Sequence, residues 1–389
     1  LRRRMRGRWL QWRRRGMWRR WLWRLWRLWK LDHMDIKFSS ATQSELYIPT
    51  HILLQWHITE RCNLRCAHCY QEDYAGRELA FNELLDILEQ FKNLLAFWRE
   101  KNKGKLLKGH ITVTGGEPFA RKDFFDILDI FHQNRELFSF AILSNGTFIN
   151  AQVAKKLSKL NPAFIQVSIE GTKATHDRIR GEGSYEKTVS AVDLLVKEKI
   201  RTLISFTAHQ GNYREFPDVA RLGKRLRVSR VWADRLIPHG SGASLREMVL
   251  LPEETQEFFK LMETEREKAS RAWFGKTEIT MNRALQFLVA GGKPYHCTAG
   301  DTLLTVQPNG DLYPCRRMPI PVGNLLKTPI QELYYSSELL TNLRDKNRTS
   351  IGCEKCFYSR VCRGGLKCLS YALEGDPFKI DPGCWQASN

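Results

Sequence analysis

The 389-residue chain carries a formal net charge of +20 and ten cysteines, with 42% hydrophobic and 27% charged residues. Residues 1–30 hold twelve Arg, one Lys, seven Trp and no acid, so thirteen of those charges sit at one end and a polyanion or nucleic-acid role for the whole chain loses its main support. The length allows one large domain plus a smaller one, and no apolar run of about 18 residues occurs, so neither a transmembrane helix nor a membrane partner is expected.

The segment 1–33 is close to an Arg/Trp/Leu alphabet. One reading is an interfacial helix with Trp at the lipid boundary and Arg on the headgroups. The other is a stretch foreign to the protein. Arg and Trp codons can differ by one base, so a G-rich repeat read through gives such a run, and low complexity is a compositional signal only. Leu1 opens the chain while Met34 opens ordinary sequence, so a misassigned start is expected for 1–33, followed by a lead-in over 34–50.

From residue 51 short apolar runs alternate with amphipathic segments. Strands are predicted over 52–58, 110–114, 139–143, 164–169, 202–207 and 230–236, each rich in Val, Ile, Leu, Phe or Thr. Helices are predicted over 81–98, 122–134, 151–160, 185–197 and 213–226. Six strands alternating with five helices give an α/β fold of parallel β–α units, a partial (β/α)6 TIM-like barrel over 51–242. Chemistry in such folds sits at the C-terminal ends of the strands. Residues 243–294 form a bridge with a charged helix over 251–273. Residues 295–389 hold seven of the ten cysteines, with few hydrophobic strands between them.

Cys62, Cys66 and Cys69 make a Cys-x3-Cys-x2-Cys loop directly after the first strand. Three thiolates there can hold an iron–sulfur cube and leave its fourth iron open. The alternative is a structural zinc loop with His68 as fourth ligand. Against it, such sites favour paired Cys-x2-Cys units from separate elements. Three cysteines cannot pair, which disfavours disulfides.

This loop resembles the signature of the radical SAM superfamily, with matching spacing and His68 where that family usually carries an aromatic residue. The resemblance spans about 50–240. It implies a [4Fe–4S] cluster on Cys62, Cys66 and Cys69, with Tyr70 adjoining the cofactor. Thr114-Gly115-Gly116-Glu117-Pro118 closes the second strand, and in the family Gly115, Gly116 and Glu117 correspond to the segment on the amino group of S-adenosylmethionine (SAM). Leu143-Ser144-Asn145-Gly146-Thr147 and Val167-Ser168-Ile169-Glu170-Gly171 look like segments of maturase-type members. There Asn145 belongs to the cofactor site, Ser168 corresponds to the ribose contact, and Arg180 to the residue pairing the SAM carboxylate, for which a guanidinium is suited.

The C-terminal pattern is Cys297-x12-Gly310-x4-Cys315, then Cys353-x2-Cys356-x5-Cys362-x5-Cys368 and Cys384. A segment so poor in apolar strands is expected to be held together by metal clusters, iron–sulfur or zinc, rather than by an apolar core. It resembles the SPASM domain of peptide- and protein-modifying radical SAM enzymes. By that analogy Cys353, Cys356, Cys362 and Cys384 hold an outer cluster and Cys297, Cys315 and Cys368 an inner one. The inner cluster has an open iron or is completed by His296 or by substrate. One departure stands out: Cys362-Arg363-Gly364-Gly365-Leu366-Lys367-Cys368 has two more residues than the family's Cys-Arg-Gly-Gly-Cys.

The resemblance implies reductive cleavage of SAM to a 5′-deoxyadenosyl radical and an oxidoreductase that modifies a ribosomally made peptide or protein by crosslink, thioether or epimerisation. The alternative is maturation of a haem, quinone or sulfatase-type factor. Arg316 occupies the position of a catalytic aspartate in sulfatase-maturing relatives, which weighs against that role. The expected partners are the peptide and an electron donor such as flavodoxin or ferredoxin. Oxygen-sensitive clusters and reduced thiols fit a cytoplasmic setting.

Overall fold

The computed structural model describes residues 46–102, 107–271 and 277–386. The Arg/Trp segment and residues 34–45 of the lead-in lie outside the described residues. The chain divides into Leu1–Tyr47 and Ile48–Asn389, and every helix and strand of the described residues lies in the second unit.

Its elements begin β1 (His51–His57), α1 (Phe81–Lys101), β2 (Lys108–Thr114), α2 (Phe124–Gln133), β3 (Phe138–Ser144), α3 (Ala151–Leu160) and β4 (Ile165–Ser168). They continue with α4 (Lys173–Arg180), α5 (Ser184–Lys197), β5 (Thr202–Ala208), α6 (Phe216–Arg225) and β6 (Arg230–Arg235). Strands β1 to β6 lie side by side in chain order and every neighbouring pair is parallel. This is the six-unit α/β architecture the alternation predicts.

Local patterning explains the elements. In β1, Ile52, Leu54 and Trp56 alternate into the core, the two-residue period of a strand. All of β5 but Thr207 is buried, as expected of a parallel strand covered on both faces. Helix α1 buries Leu84, Ile87, Leu88, Phe91, Leu94, Leu95 and Trp98, the stripe of a 3.6-residue period. Asn150 caps α3 by accepting from the Val153 amide at 2.9 Å, and Asn161 ends it in the left-handed region. Helix α4 is absent from the predicted elements because its eight residues, KATHDRIR, carry no apolar stripe.

After β6 come α7 (Pro252–Ser270) and β7 (Glu278–Thr280), which pairs with β6. Strand β8 (Leu303–Val306) then returns to pair in parallel with β1, Leu53 opposite Leu303 and Trp56 opposite Val306. Strands β9 (Asp311–Tyr313) and β10 (Gly323–Asn324) finish that edge in antiparallel fashion. The cysteine-rich end therefore corrects one expectation. Leu304, Val306, Leu312, Leu325, Ile330 and Tyr334 are buried in the same core as the barrel strands, so this segment does have apolar support, borrowed from its neighbour. A second, smaller core joins Leu236, Ile237, Val249 and Met318 to Leu366 and Leu369, with Cys315 and Cys368 among them.

Candidate active site

The cysteine loop after β1 is gripped by the loops that follow its neighbours. The Gly116 amide donates to Thr59 O at 2.8 Å and the Glu117 amide to Arg61 O at 2.8 Å. A Cβ at Gly115 would lie 2.5 Å from Thr59 O, and one at Gly116 would lie 2.4 Å from Arg61 O. The close approach these glycines permit is thus to the cysteine loop itself. From the other side, the Gly242 amide donates to Cys69 O at 3.0 Å, and Gly240 abuts the Tyr70 carbonyl.

Glu117 is fully buried. Its Oε1 accepts from Ser144 Oγ at 2.9 Å and its Oε2 from the Asn145 amide at 2.7 Å, tying the β2 loop to the β3 loop. Burial pushes its carboxyl up to about 7 against these hydrogen bonds. Asn145 donates from Nδ2 to Asn63 Oδ1 at 3.0 Å, and the same nitrogen lies 3.9 Å from Cys62 Sγ. Ser168 Oγ shares a hydrogen bond with Ser205 Oγ at 3.2 Å.

Arg180 ends α4. The Ala67 amide donates to Ile179 O at 2.9 Å, which draws the cysteine loop to this helix end. Arg180 donates from Nε and Nη2 to Glu170 Oε1 at 3.0 and 2.6 Å, while Nη1 faces Cys66 Sγ at 3.8 Å. The Glu170 Oε2 accepts from the Thr207 amide at 2.8 Å, and His68 Nε2 lies 3.3 Å from Oε1. Burial by itself raises the Glu170 carboxyl, but Arg180 and His68 outweigh it and hold the group well below the usual carboxylate range. Sequence reasoning missed Glu170 as a site residue. Its only signal was an acid at a strand end ten residues before Arg180. His68 turns its Nε2 to Glu170, while its Nδ1 is buried without a hydrogen-bond partner among the described residues. Among the described residues no three His, Cys, Asp or Glu side chains converge on a position for a single metal ion.

Cys62, Cys66 and Cys69 are unpaired and half-buried. Burial pushes the Cys62 thiol up to about 11, and Cys66 and Cys69 add to the rise. Burial also raises Cys66, opposed by Arg180. The C-terminal cysteines fall into two groups of mutual influence. Cys315 feels Cys297, and Cys368 feels both; Cys315 and Cys368 are buried and Cys297 half-buried, and each thiol is raised chiefly by burial. Burial pushes Cys353 up to about 11, with Cys356 and Cys384 contributing, and Cys362 up to about 12, with Cys384 and Cys353 contributing. Burial lowers the His296 ring, with Arg363, Lys293 and Lys346 adding to the effect and Asp301 opposing it. Tyr70 links the first site to the inner group: its carbonyl accepts from Arg316 Nη2 at 2.9 Å, and its buried hydroxyl lies in reach of Arg317, Cys368 and Cys315. Arg317 in turn pairs with Asp234 at the end of β6.

Residues 56–223 match the model of the Radical SAM superfamily, and residues 297–357 match that of the SPASM iron–sulfur cluster-binding domain. The chain carries a radical SAM domain followed by a SPASM domain. Its cofactors are accordingly [4Fe–4S] clusters and SAM. This radical SAM protein is similar to the AdoMet-dependent heme synthase of Methanosarcina barkeri (strain Fusaro / DSM 804), 25% identical over 358 residues, 85% of this chain and 95% of that protein. It is also similar to the mycofactocin maturase MftC of Mycolicibacterium smegmatis, 26% identical over 361 residues, 88% of this chain and 84% of that protein. Its fold superposes on native anSMEcpe with bound AdoMet and Cp18Cys peptide with a TM-score of 0.67 at 18% identity, covering 87% of this chain and 94% of the other.

The donor chemistry of this radical SAM chain fits its cofactors. The thiols of Cys62, Cys66, Cys297, Cys315, Cys353, Cys362 and Cys368 are all pushed toward their neutral form, so thiolate ligation there needs a strong positive partner such as cluster iron. Sulfur donors are the ligands such iron takes. No helix among the described residues is long and apolar enough to cross a membrane.

Proposed function

We propose that this radical SAM protein modifies a ribosomally made peptide or protein, forming a crosslink, a thioether or an epimer. In this reading Cys62, Cys66 and Cys69 hold the SAM-binding cluster. Cys297, Cys315 and Cys368 hold an inner auxiliary cluster, and Cys353, Cys356, Cys362 and Cys384 an outer one. When bound, the first cluster and SAM supply reductive C–S cleavage and a 5′-deoxyadenosyl radical that takes a hydrogen atom from an unactivated carbon.

The observation that carries the reading is the Cys66–Arg180–Glu170 arrangement. Glu170 orients the guanidinium through Nε and Nη2, and Nη1 remains directed at the cysteine loop. A cation so placed favours the thiolate of Cys66 and a carboxylate approaching the loop. Glu117, Asn145 and the two glycines fix the loop backbone, and Ser168 sits at the adjacent strand end. Peptide as substrate class is supported by the peptide held on the same fold in anSMEcpe. The partly exposed Arg316 beside Tyr70, which makes no ion pair among the described residues, suits an acidic segment of it. An external donor of the flavodoxin or ferredoxin type supplies the electron, in a reducing cytoplasmic setting.

A second reading, maturation of a haem-type factor, is favoured by the haem synthase among the relatives. Anaerobically reconstituted protein, SAM and dithionite are incubated in parallel with peptides from neighbouring short reading frames and with an iron porphyrin, and both are read by mass. Loss of two hydrogen atoms from a peptide, or uptake of solvent deuterium with no net change, supports the first reading. Conversion of the porphyrin alone supports the second.

A further inference from the structure

The sheet has one face under the helices and one away from them, and ring contacts fix which is which. Trp56 of β1 lies 6.1 Å from Phe131 of α2, and Phe206 of β5 lies 5.7 Å from Phe216 of α6. Trp56 stands opposite Val113 of β2 and Val306 of β8, so these share the helix face. Side chains alternate along a strand. Gln55 and His57 of β1, and Thr305 opposite Gln55 on β8, therefore point to the other face, the interior of a barrel. Gln307 continues the alternation of Thr305 just past the end of β8.

The two sides of this interior differ. On β4 to β6 the polar groups satisfy one another: Trp232 Nε1 donates to Gln166 Oε1 at 2.9 Å, and Ser168 shares its bond with Ser205. On β1 and β8 they do not. His57 Nε2, Thr305 Oγ1 and Gln307 Nε2 are buried without a hydrogen-bond partner among the described residues, in side chains 8%, 0% and 5% exposed. A buried polar atom left unpaired is destabilising, yet three gather on two neighbouring strands. The residues expected to contact SAM lie at or after the ends of β2, β3 and β4, which leaves the β8–β1 side to substrate.

The chemistry of this side is neutral. An amide nitrogen donates, while a hydroxyl and an uncharged imidazole each donate and accept. Burial, reinforced by Arg316, holds the His57 ring well below its ordinary value and so uncharged. No acid, Lys or Arg stands at the interior-facing positions 53, 55 and 57 of β1 or at 303, 305 and 307. A carboxylate placed there would lose its water without gaining a counter-charge. An amide instead offers a carbonyl to Gln307 and an N–H to His57.

We propose that His57 and Gln307, with Thr305 two residues deeper, hold a neutral amide group of the peptide substrate and thereby select a peptide over a carboxylate-bearing factor. This rests on the peptide reading of the proposed function.

The test compares the full chain, anaerobically reconstituted, as wild type, His57→Phe, Gln307→Met and His57→Gln. The probes are the peptides of the neighbouring short reading frames and an iron porphyrin, with N-acetylalanine N-methylamide and acetate as competitors. The wild type is expected to modify a peptide, and the amide to compete better than equimolar acetate. The KM for that peptide is expected to rise about tenfold in His57→Phe and in Gln307→Met, the loss of one hydrogen bond, and to stay near wild type in His57→Gln. The KM for SAM is expected to hold. Without substrate, His57→Phe and Gln307→Met should melt no lower than wild type, because each removes an unpaired buried group. A wild type that modifies no peptide, or converts the porphyrin alone, overturns the peptide reading and the amide site with it. Where a peptide is modified, an unchanged KM in both variants, a rise in the KM for SAM instead, or stronger competition by acetate overturns the amide site alone. A lowered melting point or loss of folded protein in either variant marks a purely structural role and also overturns it.

Discussion

Arg180 divides its guanidinium between Glu170 and Cys66, and Glu170 is closed to solvent by the β4–α4 connection and Thr207. Removing the carboxylate leaves a largely buried cation unpaired, which costs about 3–5 kcal/mol. Glu170→Ala is therefore expected to lower the denaturant midpoint by that amount of free energy. The two buried glutamates give opposite pH dependence. The Glu170 carboxyl is held below its unfolded value, so its contribution is present above that value and is lost as pH falls through the depressed one. Glu117 is raised to about 7, so its contribution is full in acid and is lost as pH rises through about 7. Unfolding titrations between pH 5 and 8 are expected to show this decline in the wild type and a flatter profile in Glu117→Gln. An unchanged slope contradicts the assignment. At this scale the sequence displayed the cysteines and Arg180, because spacing is a local signal. Glu170 stayed hidden because a lone charged residue carries no such signal.

The element that positions the site is the loop between β1 and α1, wedged between the Gly115-Gly116 turn and the Gly240–Gly242 turn. Gly116→Ala places a Cβ against the Arg61 carbonyl, where backbone must move. Overpacking of this kind costs about 1–3 kcal/mol. The variant is expected to lose that stability and most of the iron bound by the first site, while the C-terminal clusters load normally. Retention of full iron and SAM cleavage would show that the turn does not set the loop. The strands were legible because their apolar alternation is local and strong. Helix α4 was not, because its place is fixed by the Thr172 start, the Gly181 stop and the bonds of Asp177 and Arg180, all visible only once the chain is folded.

Across the whole molecule, β8 pairs with β1 although the two lie some 250 residues apart, and no pattern local to either announces that register. This is why the cysteine-rich end read as a segment lacking a core. A second tie is Arg235 at the end of β6, which donates to Asp381 at 2.8 and 2.5 Å with both side chains fully buried. Asp381 also accepts from the Leu366 and Gly383 amides, next to Cys368 and Cys384. Arg235→Met is expected to cost about 3–5 kcal/mol and to loosen the C-terminal segment, while Arg235→Met with Asp381→Leu costs less than the sum of the single changes. Thermal unfolding of the single and double variants checks this, and simple additivity would deny the coupling.

The central claim is that Cys62, Cys66 and Cys69 form the site of SAM cleavage, and its most direct measurement is 5′-deoxyadenosine release by reduced, air-free protein given SAM. The account predicts release by the wild type and none by the variant with all three cysteines changed to Ala, which should keep its C-terminal iron. Equal release by both proteins, or a wild type that binds no iron and releases none, would contradict it.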